Sequence, residues 1–312
     1  MVGITRAATS LGTAAARTLV STTKSAPQMR GISPRWLLRI LPWIDVHGGT
    51  YRVTRTVRRA IGRRGSNQPG VVTFAGHHGE LTLPGMFVDY ELPAREYPMS
   101  AAQAILRLHT RVGDLYNQPM NQYQQQLRLT LEALYERQEH ELINNPDFGL
   151  LHNVVGRHRI PVNGDPPTPS NLDHLISRQT QPRCLLAHPR AIAAFGRECN
   201  RRGITSETLK LSGHRVQAWR GFPLLPCDKL TISPGGITSI LVLRTGEDRQ
   251  GVVGLRPIDL PDEHEPGISI RRIGVDQLAV TSYLVSIYFS IAMLIPNCVV
   301  ALDDVQVNRA SE

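Results

Sequence analysis

The sequence predicts an α+β protein whose opening hundred residues are extended and must lie on something other than a core of their own. Three observations predict this. The first is charge. Residues 1–64 hold twelve Arg and Lys against one acid, Asp45, a balance of +11 in a chain whose total is +9, which leaves about −2 for the remainder. Such a segment repels itself and calls for an outside partner: nucleic acid, a membrane, an import receptor or a protein surface. The second is a hairpin pattern at 47–98 that is too poor in large apolar residues to bury itself. The third is a long helical pattern at 121–144, followed by mixed helix and strand signals to the C-terminus.

Residues 1–46 read as an arm. The stretch before Asp45 has the acid-free, Arg-, Ser- and Ala-rich composition of a presequence. The apolar cluster Trp36, Leu37, Ile40, Leu41 and Trp43 argues instead for a retained docking segment, with Pro34 suited to a helix start. Residues 47–98 follow as the hairpin. Tyr51, Val53 and Val57 alternate with Arg52 and Arg55, and the tip holds Arg58 and Arg59. Ser100 and Gln103 fit a capping box, with Ala104, Ile105, Leu108, Val112 and Leu115 on one helical face. The next helix, 121–144, carries Leu127, Leu131 and Leu134 on one side and ends before Pro146.

The Pro/Gly-rich stretch 156–173 reads as a linker and a boundary. A helix is expected to start near Pro189, with Gly203 as its C-cap. Strands are expected at 216–230, 238–246, around GVVGLRPI, around ISIRRIGV and at 298–307. Residues 277–302 carry no charge, enough to cross a bilayer. Ser282, Ser286 and Ser290 stripe that segment at spacing four, and Pro296 ends it, so a buried helix over 278–295 is expected and no membrane span.

Catalytic motifs are missing. There is no GxSxG elbow, P-loop, GxGxxG or HExxH. The four cysteines have neither zinc-ligand nor redox spacing and read as reduced and cytoplasmic. His77 and His78 are adjacent, a poor geometry for one metal. The glutamates at 132, 136, 139 and 141 read as a solvated or interfacial helix face. Residues 52–64 hold six arginines and no aromatic, so no sequence-reading nucleic-acid module is expected. The chain is therefore expected to be no enzyme, with no cofactor and no metal. An arm and an unsupported hairpin are costly to order alone and become reasonable when each covers a neighbouring copy.

Four stretches carry a family resemblance: ISPRWLLRILPWIDVHGGTYRVTR at 32–55, LRLTLEALYERQEHELINNPDFGLL at 127–151, AHPRAIAAFGRECNRRG with AWRGFPLLPCDKL at 187–230, and TSILVLRTGEDRQGVVGL with TSYLVSIYFSIAML at 238–294. In family order, they resemble the encapsulins of the second class, bacterial shell subunits with the Hong Kong 97-type phage major capsid fold. The resemblance implies an N-terminal arm at 1–46, an E-loop at 47–98, P-domain segments at 99–165 and 256–312, and an A-domain at 166–255. It implies assembly contacts through Trp36, Leu37, Ile40, Leu41 and Trp43, and E-loop contacts through Tyr51, Arg52, Arg55, Arg58 and Arg59. A five-fold pore rim is expected near Gly203–Ser212, at Gly203, Ile204, Thr205, Ser206, Glu207 and Lys210.

The implied function is an icosahedral, cytoplasmic nanocompartment built from copies of this chain around a cargo enzyme. The cargo is a cysteine desulfurase, or a terpene synthase or related isoprenoid enzyme. Relatives with isoprenoid cargo often carry a cyclic-nucleotide-binding domain near the hairpin, for which this chain has no room between Arg55 and Pro98. That leaves a shell type without the domain, or a second shell subunit that bears it. The wording GGTYRVTR and ECNRRG leans toward the isoprenoid group. The rivals are a phage head protein packaging DNA and a membrane- or nucleic-acid-associated protein anchored by its basic N-terminus.

Overall fold

Two hydrogen-bonded sheets organise the chain in a computed structural model that describes residues 33–54, 94–109 and 121–308. The first half contributes α1 (Trp36–Ile40), β1 (Trp43–Val46), β2 (Thr50–Val53), β3 (Arg95–Pro98), β4 (Ser100–His109), α2 (Gln122–Asn144), α3 (Leu150–Asn153), β5 (Arg159–Pro161) and α4 (Pro169–Ser177). Then come β6 (Cys184–Ala187), α5 (Pro189–Arg201), β7 (Glu207–Leu211), β8 (His214–Trp219), β9 (Phe222–Pro226) and β10 (Ile237–Leu243). The chain closes with β11 (Val252–Pro257), β12 (Glu263–Glu265), β13 (Ile268–Val275), β14 (Val280–Met293) and β15 (Val299–Gln306).

One sheet has six strands in the order β1-β11-β14-β13-β12, with β4 also paired to β14. The other has seven, in the order β5-β15-β10-β6-β9-β8-β7. These sheets cut across a division at 255/256. β15 runs antiparallel to β10 inside the seven-stranded sheet, whereas β11 joins the six-stranded one. The expected strands at 216–230, 238–246 and 298–307 are β8, β9, β10 and β15, and α5 ends with Gly203 at φ +68° just after it. The spine helix is α2, its first turn closed by the Asn121 side chain accepting from the Gln124 N–H.

Three expectations fail. The uncharged helix over 278–295 is the 14-residue strand β14. A spacing of four is also a multiple of two, so serines at 282, 286 and 290 share one face of a strand as readily as of a helix. The segment's Val, Ile, Thr, Tyr and Phe content decides for the strand, and pairing on both edges fixes it: β4 covers one edge and β13, then β11, the other. The helix begun by a capping box at Ser100 is strand β4, paired to β14 from Ser100↔Phe289 to His109↔Val280. Ala102 and Leu106 point inward, Ile105 is 58% exposed, and the Gln103 amide donates to Ser286 Oγ instead of capping a helix. The stretch 156–173 is no bare linker. It folds as a 3-10 turn at Gly156–His158, then β5, then the start of α4. Its Pro and Gly punctuate short elements: Thr168 caps α4 with Pro169 in the first turn.

A close approach ties the chain's beginning to its end. β1 pairs in parallel with β11, Trp43 beside Gly254. A Cβ on Gly254 would lie 2.8 Å from Trp43 Cε3, inside van der Waals contact. Gly254→Ala is therefore expected to cost about 1–3 kcal/mol, read as a lowered unfolding midpoint in urea, because the indole ring or the paired strand must shift to admit the methyl group.

Candidate functional site

The arm's apolar cluster has a seat within its own protomer. Trp36, Leu37 and Leu41 are buried in the main core, and Leu38, Ile40 and Trp43 pack against it. The expectation that this cluster rewards only a sister copy is thus corrected: much of its apolar surface is already covered by its own chain. The α1 turn places Trp36 and Leu37 inward. Trp36 meets the His214 ring edge-on at 5.8 Å, and Trp43 Nε1 donates to the Leu38 carbonyl at 3.2 Å.

The seat has a polar floor on α2. Glu132, Glu136 and Glu139 stand at spacings of four and three, on one side of the helix. Arg35 pairs with Glu132 at 2.6 Å, and Lys229 pairs with Glu136 at 2.6 Å and with Asp228 at 3.0 Å. The Ser33 N–H donates to Glu136 Oε1 at 2.9 Å, and the Leu37 N–H donates to Glu139 Oε1 at 3.0 Å. Ser33 Oγ also donates to Glu136 and Glu139. Carboxylates on the spine thereby take up two backbone N–H groups near the start of α1, in a helix with no side-chain N-cap.

Glu139 is 1% exposed. Burial pushes its carboxyl up to about 7, offset in part by the Leu37 N–H and Lys229 and reinforced by Glu136 and Asp228. Burial disfavours the Lys229 cation, yet its hydrogen bonds to Glu136 and Asp228 prevail and raise its pKa. The solvated or interfacial face expected for these glutamates is instead covered at Glu139 by the arm. No local signal marks them out, because their partners at Ser33 and Leu37 lie about a hundred residues away in the chain.

The hairpin's base is described and its tip is not. β2 and β3 pair antiparallel, Tyr51 opposite Tyr97 and Arg52 opposite Glu96. Tyr51 packs beside buried Tyr97, whose hydroxyl donates to the Met293 carbonyl at 2.8 Å. Burial and then Glu247 raise the Tyr51 phenol. Arg52 makes an exposed pair with Glu96 at 2.8 Å. Arg55, Arg58, Arg59 and the His77–His78 pair lie outside the described residues.

The expected pore-rim residues split. Gly203, Ile204 and Thr205 form an exposed turn after α5. Glu207 and Lys210 belong to the edge strand β7, whose hairpin with β8 turns through Ser212 and Gly213. Leu209 and Leu211 of that strand pack on the main core, and His214 at its end meets Trp36. This hairpin therefore lies beside the arm's seat, a proximity no sequence pattern announced.

Nothing described resembles a reaction centre. The four cysteines are free and buried, and burial pushes the Cys184 and Cys227 thiols up to about 12. Among the described residues no group of three or more His, Cys, Asp or Glu is placed to hold a metal. No described helix is long and apolar enough to cross a membrane.

Comparison with known proteins decides what such a chain is. A family model described as type 2A encapsulin shell protein, SrpI-like, matches residues 58–309. The chain belongs to this type 2A encapsulin shell family. Its curated relatives include the type 2A encapsulin shell protein SrpI of Synechococcus elongatus, 45% identical over 296 residues that cover 95% of this chain and 94% of that one. Another, from Mycolicibacterium paratuberculosis, is 44% identical over 97% of this chain and 96% of its own. The cryoEM structure of the holo-SrpI encapsulin complex from Synechococcus elongatus superposes with a TM-score of 0.80 at 44% identity, covering 97% of this chain and 99% of that one. Capsids with 11% and 13% identity, of a native GTA particle and of Gordonia phage Cozz, share the fold at TM-scores of 0.58 and 0.55. The encapsulin fold is thus the Hong Kong 97-type capsid fold expected from the sequence. This encapsulin is a structural shell subunit and not an enzyme, as its relatives are named.

Proposed function

We propose that copies of this chain close into an icosahedral, cytoplasmic nanocompartment that retains a cargo enzyme. The observation that carries the reading is end-to-end similarity to shell proteins at 44–45% identity. An exposed apolar tip supports it. Ile273, Val275 and Leu278 crown the β13–β14 hairpin at 58%, 51% and 76% exposure, a surface suited to a neighbouring copy. In this reading the six-stranded sheet with α2 is the P-domain and the seven-stranded sheet with α4 and α5 is the A-domain. The hairpin opened by β2 and β3 is the E-loop, and the turn at Gly203–Thr205 borders a pore.

Of the implied cargo classes, a cysteine desulfurase fits better. Relatives with isoprenoid cargo often carry an inserted cyclic-nucleotide-binding domain, and this chain matches relatives of nearly its own length, so isoprenoid cargo would call for a second, domain-bearing subunit or a shell type without the domain. That argument outweighs the weaker likeness of GGTYRVTR and ECNRRG to the isoprenoid group. A DNA-packaging head is the second reading, and it rests on shared fold alone.

The test is purification from the native host, then negative-stain microscopy and identification of the co-eluting protein. Uniform hollow particles with a co-eluting desulfurase are the expected result. A monomer on gel filtration defeats the shell, and particles filled with DNA defeat the cargo reading in favour of the head protein.

A further inference from the structure

Four arginines without a carboxylate gather at one end of the seven-stranded sheet, where β6 and β15 begin and β10 ends. Arg157 donates from Nε to His158 Nε2 at 3.2 Å, and Arg178 donates from Nε to His174 Nε2 at 3.4 Å. Both arginines bear on His158: burial, then Arg157 and Arg178, lower its pKa. The Arg183 N–H is held by the Leu243 carbonyl at 2.9 Å. The next residue, Arg244, is held through its N–H by the Cys298 carbonyl, which also accepts from the Gln179 amide. Nine of the described arginines pair with a carboxylate, among them Arg159 with Asp303, Arg201 and Arg202 with Glu198, and Arg220 with Asp173. These four have no such partner among the described residues.

Arg244 makes the imbalance costly. It is 6% exposed, its Nη2 reaches only the Asn297 side chain at 3.1 Å, and its Nε is buried with no acceptor. The buried Gln179 Oε1 likewise has no donor. Water at these atoms would still leave the charge uncompensated. A nearly buried cation is retained at a low cost only when an anion comes close.

The same chain carries a complement. Residues 259–265 hold Asp259, Asp262, Glu263 and Glu265 on an exposed turn and on β12, the edge of the six-stranded sheet. Asp262 is engaged by Arg271 and Asp259 by His47, while Glu263 and Glu265 have no ion pair among the described residues. We infer that the arginine end around Arg157, Arg178, Arg183 and Arg244 is an interface that receives the acidic turn Asp259–Glu265 of a second copy of this chain. Interfacial charge complementarity of this kind fixes register and excludes wrong contacts, which a closed particle requires. The inference rests on the shell reading above.

The test compares particle yield and salt resistance for four proteins: wild type, R157E/R178E, E263K/E265K and the quadruple combination. All four changed residues are exposed and make no ion pair among the described residues, so folded protomers are expected by circular dichroism. Each double variant is expected to lose about tenfold in intact particles at moderate salt, and the quadruple, which restores opposite charges across the contact, to recover them. Double variants that assemble like wild type, or a quadruple that fails to recover, overturn the inference. So does wild-type material that carries nucleic acid which R157E/R178E sheds while its particles stay whole. If wild type itself forms no particles, it is the shell reading that fails.

Discussion

Deletion of residues 1–46 is expected to leave no stable protomer, rather than a folded protomer that cannot close a particle. The truncation removes Trp36, Leu37 and Leu41, each at most 4% exposed. Full burial of such a side chain contributes about 1.5–3 kcal/mol. Three of them approach the ~5–15 kcal/mol by which a whole domain is stable. The truncation also strips β1 from β11, uncovering a sheet edge, and deprives Glu136 and Glu139 of the Ser33 and Leu37 N–H donors in a buried setting. The expected outcome is aggregated protein in the pellet and no particles by negative stain. A deletion ending at Ile32 spares every one of these contacts and is expected to remain soluble. Intact particles at normal yield from the longer deletion would show that the seat is dispensable.

The second large effect is on pH. Glu139 ionises with a pKa of about 7 in the folded chain, above the 4.5 of an ordinary glutamate. Between those two values the folded state holds the proton more tightly than the unfolded state. Stability is therefore full below about pH 4.5 as far as this group is concerned, falls as pH rises through the interval, and stays low above pH 7. The loss is on the order of 3 kcal/mol per chain. Glu139→Gln keeps an acceptor for the Leu37 N–H, and its amide can donate to Ser33 Oγ, but it carries no charge. The variant is expected to match wild type at pH 5 and to exceed it at pH 8, where the urea midpoint of wild type has dropped and that of the variant has not. An unchanged pH slope in the variant would remove Glu139 as the cause. Carboxylates whose pKa is depressed in the folded state lose stability in the opposite direction, so the sign of the slope separates Glu139 from ordinary acid denaturation.

Legibility followed the range of the forces involved. Strong local signals read correctly: Pro189 opening α5 and Gly203 following it, Asn121 opening a 23-residue spine, and β-rich runs at β8 to β10. Errors came where periodicities coincide. Serines four apart at 282, 286 and 290 fit both a helix and a strand, and only the partners on either side of β14 distinguish them. The same is true of β4, where Ile105 fits one face of a helix yet stands largely exposed on a strand.

By itself the sequence determined that this chain has a basic beginning, a spine, no catalytic motif, and a set of segments in the order of one shell family. Composition and short-range pattern suffice for those properties, since each depends on neighbours within a few turns of chain. Only the tertiary structure decided that the Trp36–Leu41 cluster is housed in its own protomer, that Glu139 is sealed beneath it, and that β15 crosses back to complete the seven-stranded sheet. Each depends on groups many residues apart, and long-range burial, unlike local propensity, leaves no periodic mark in the chain.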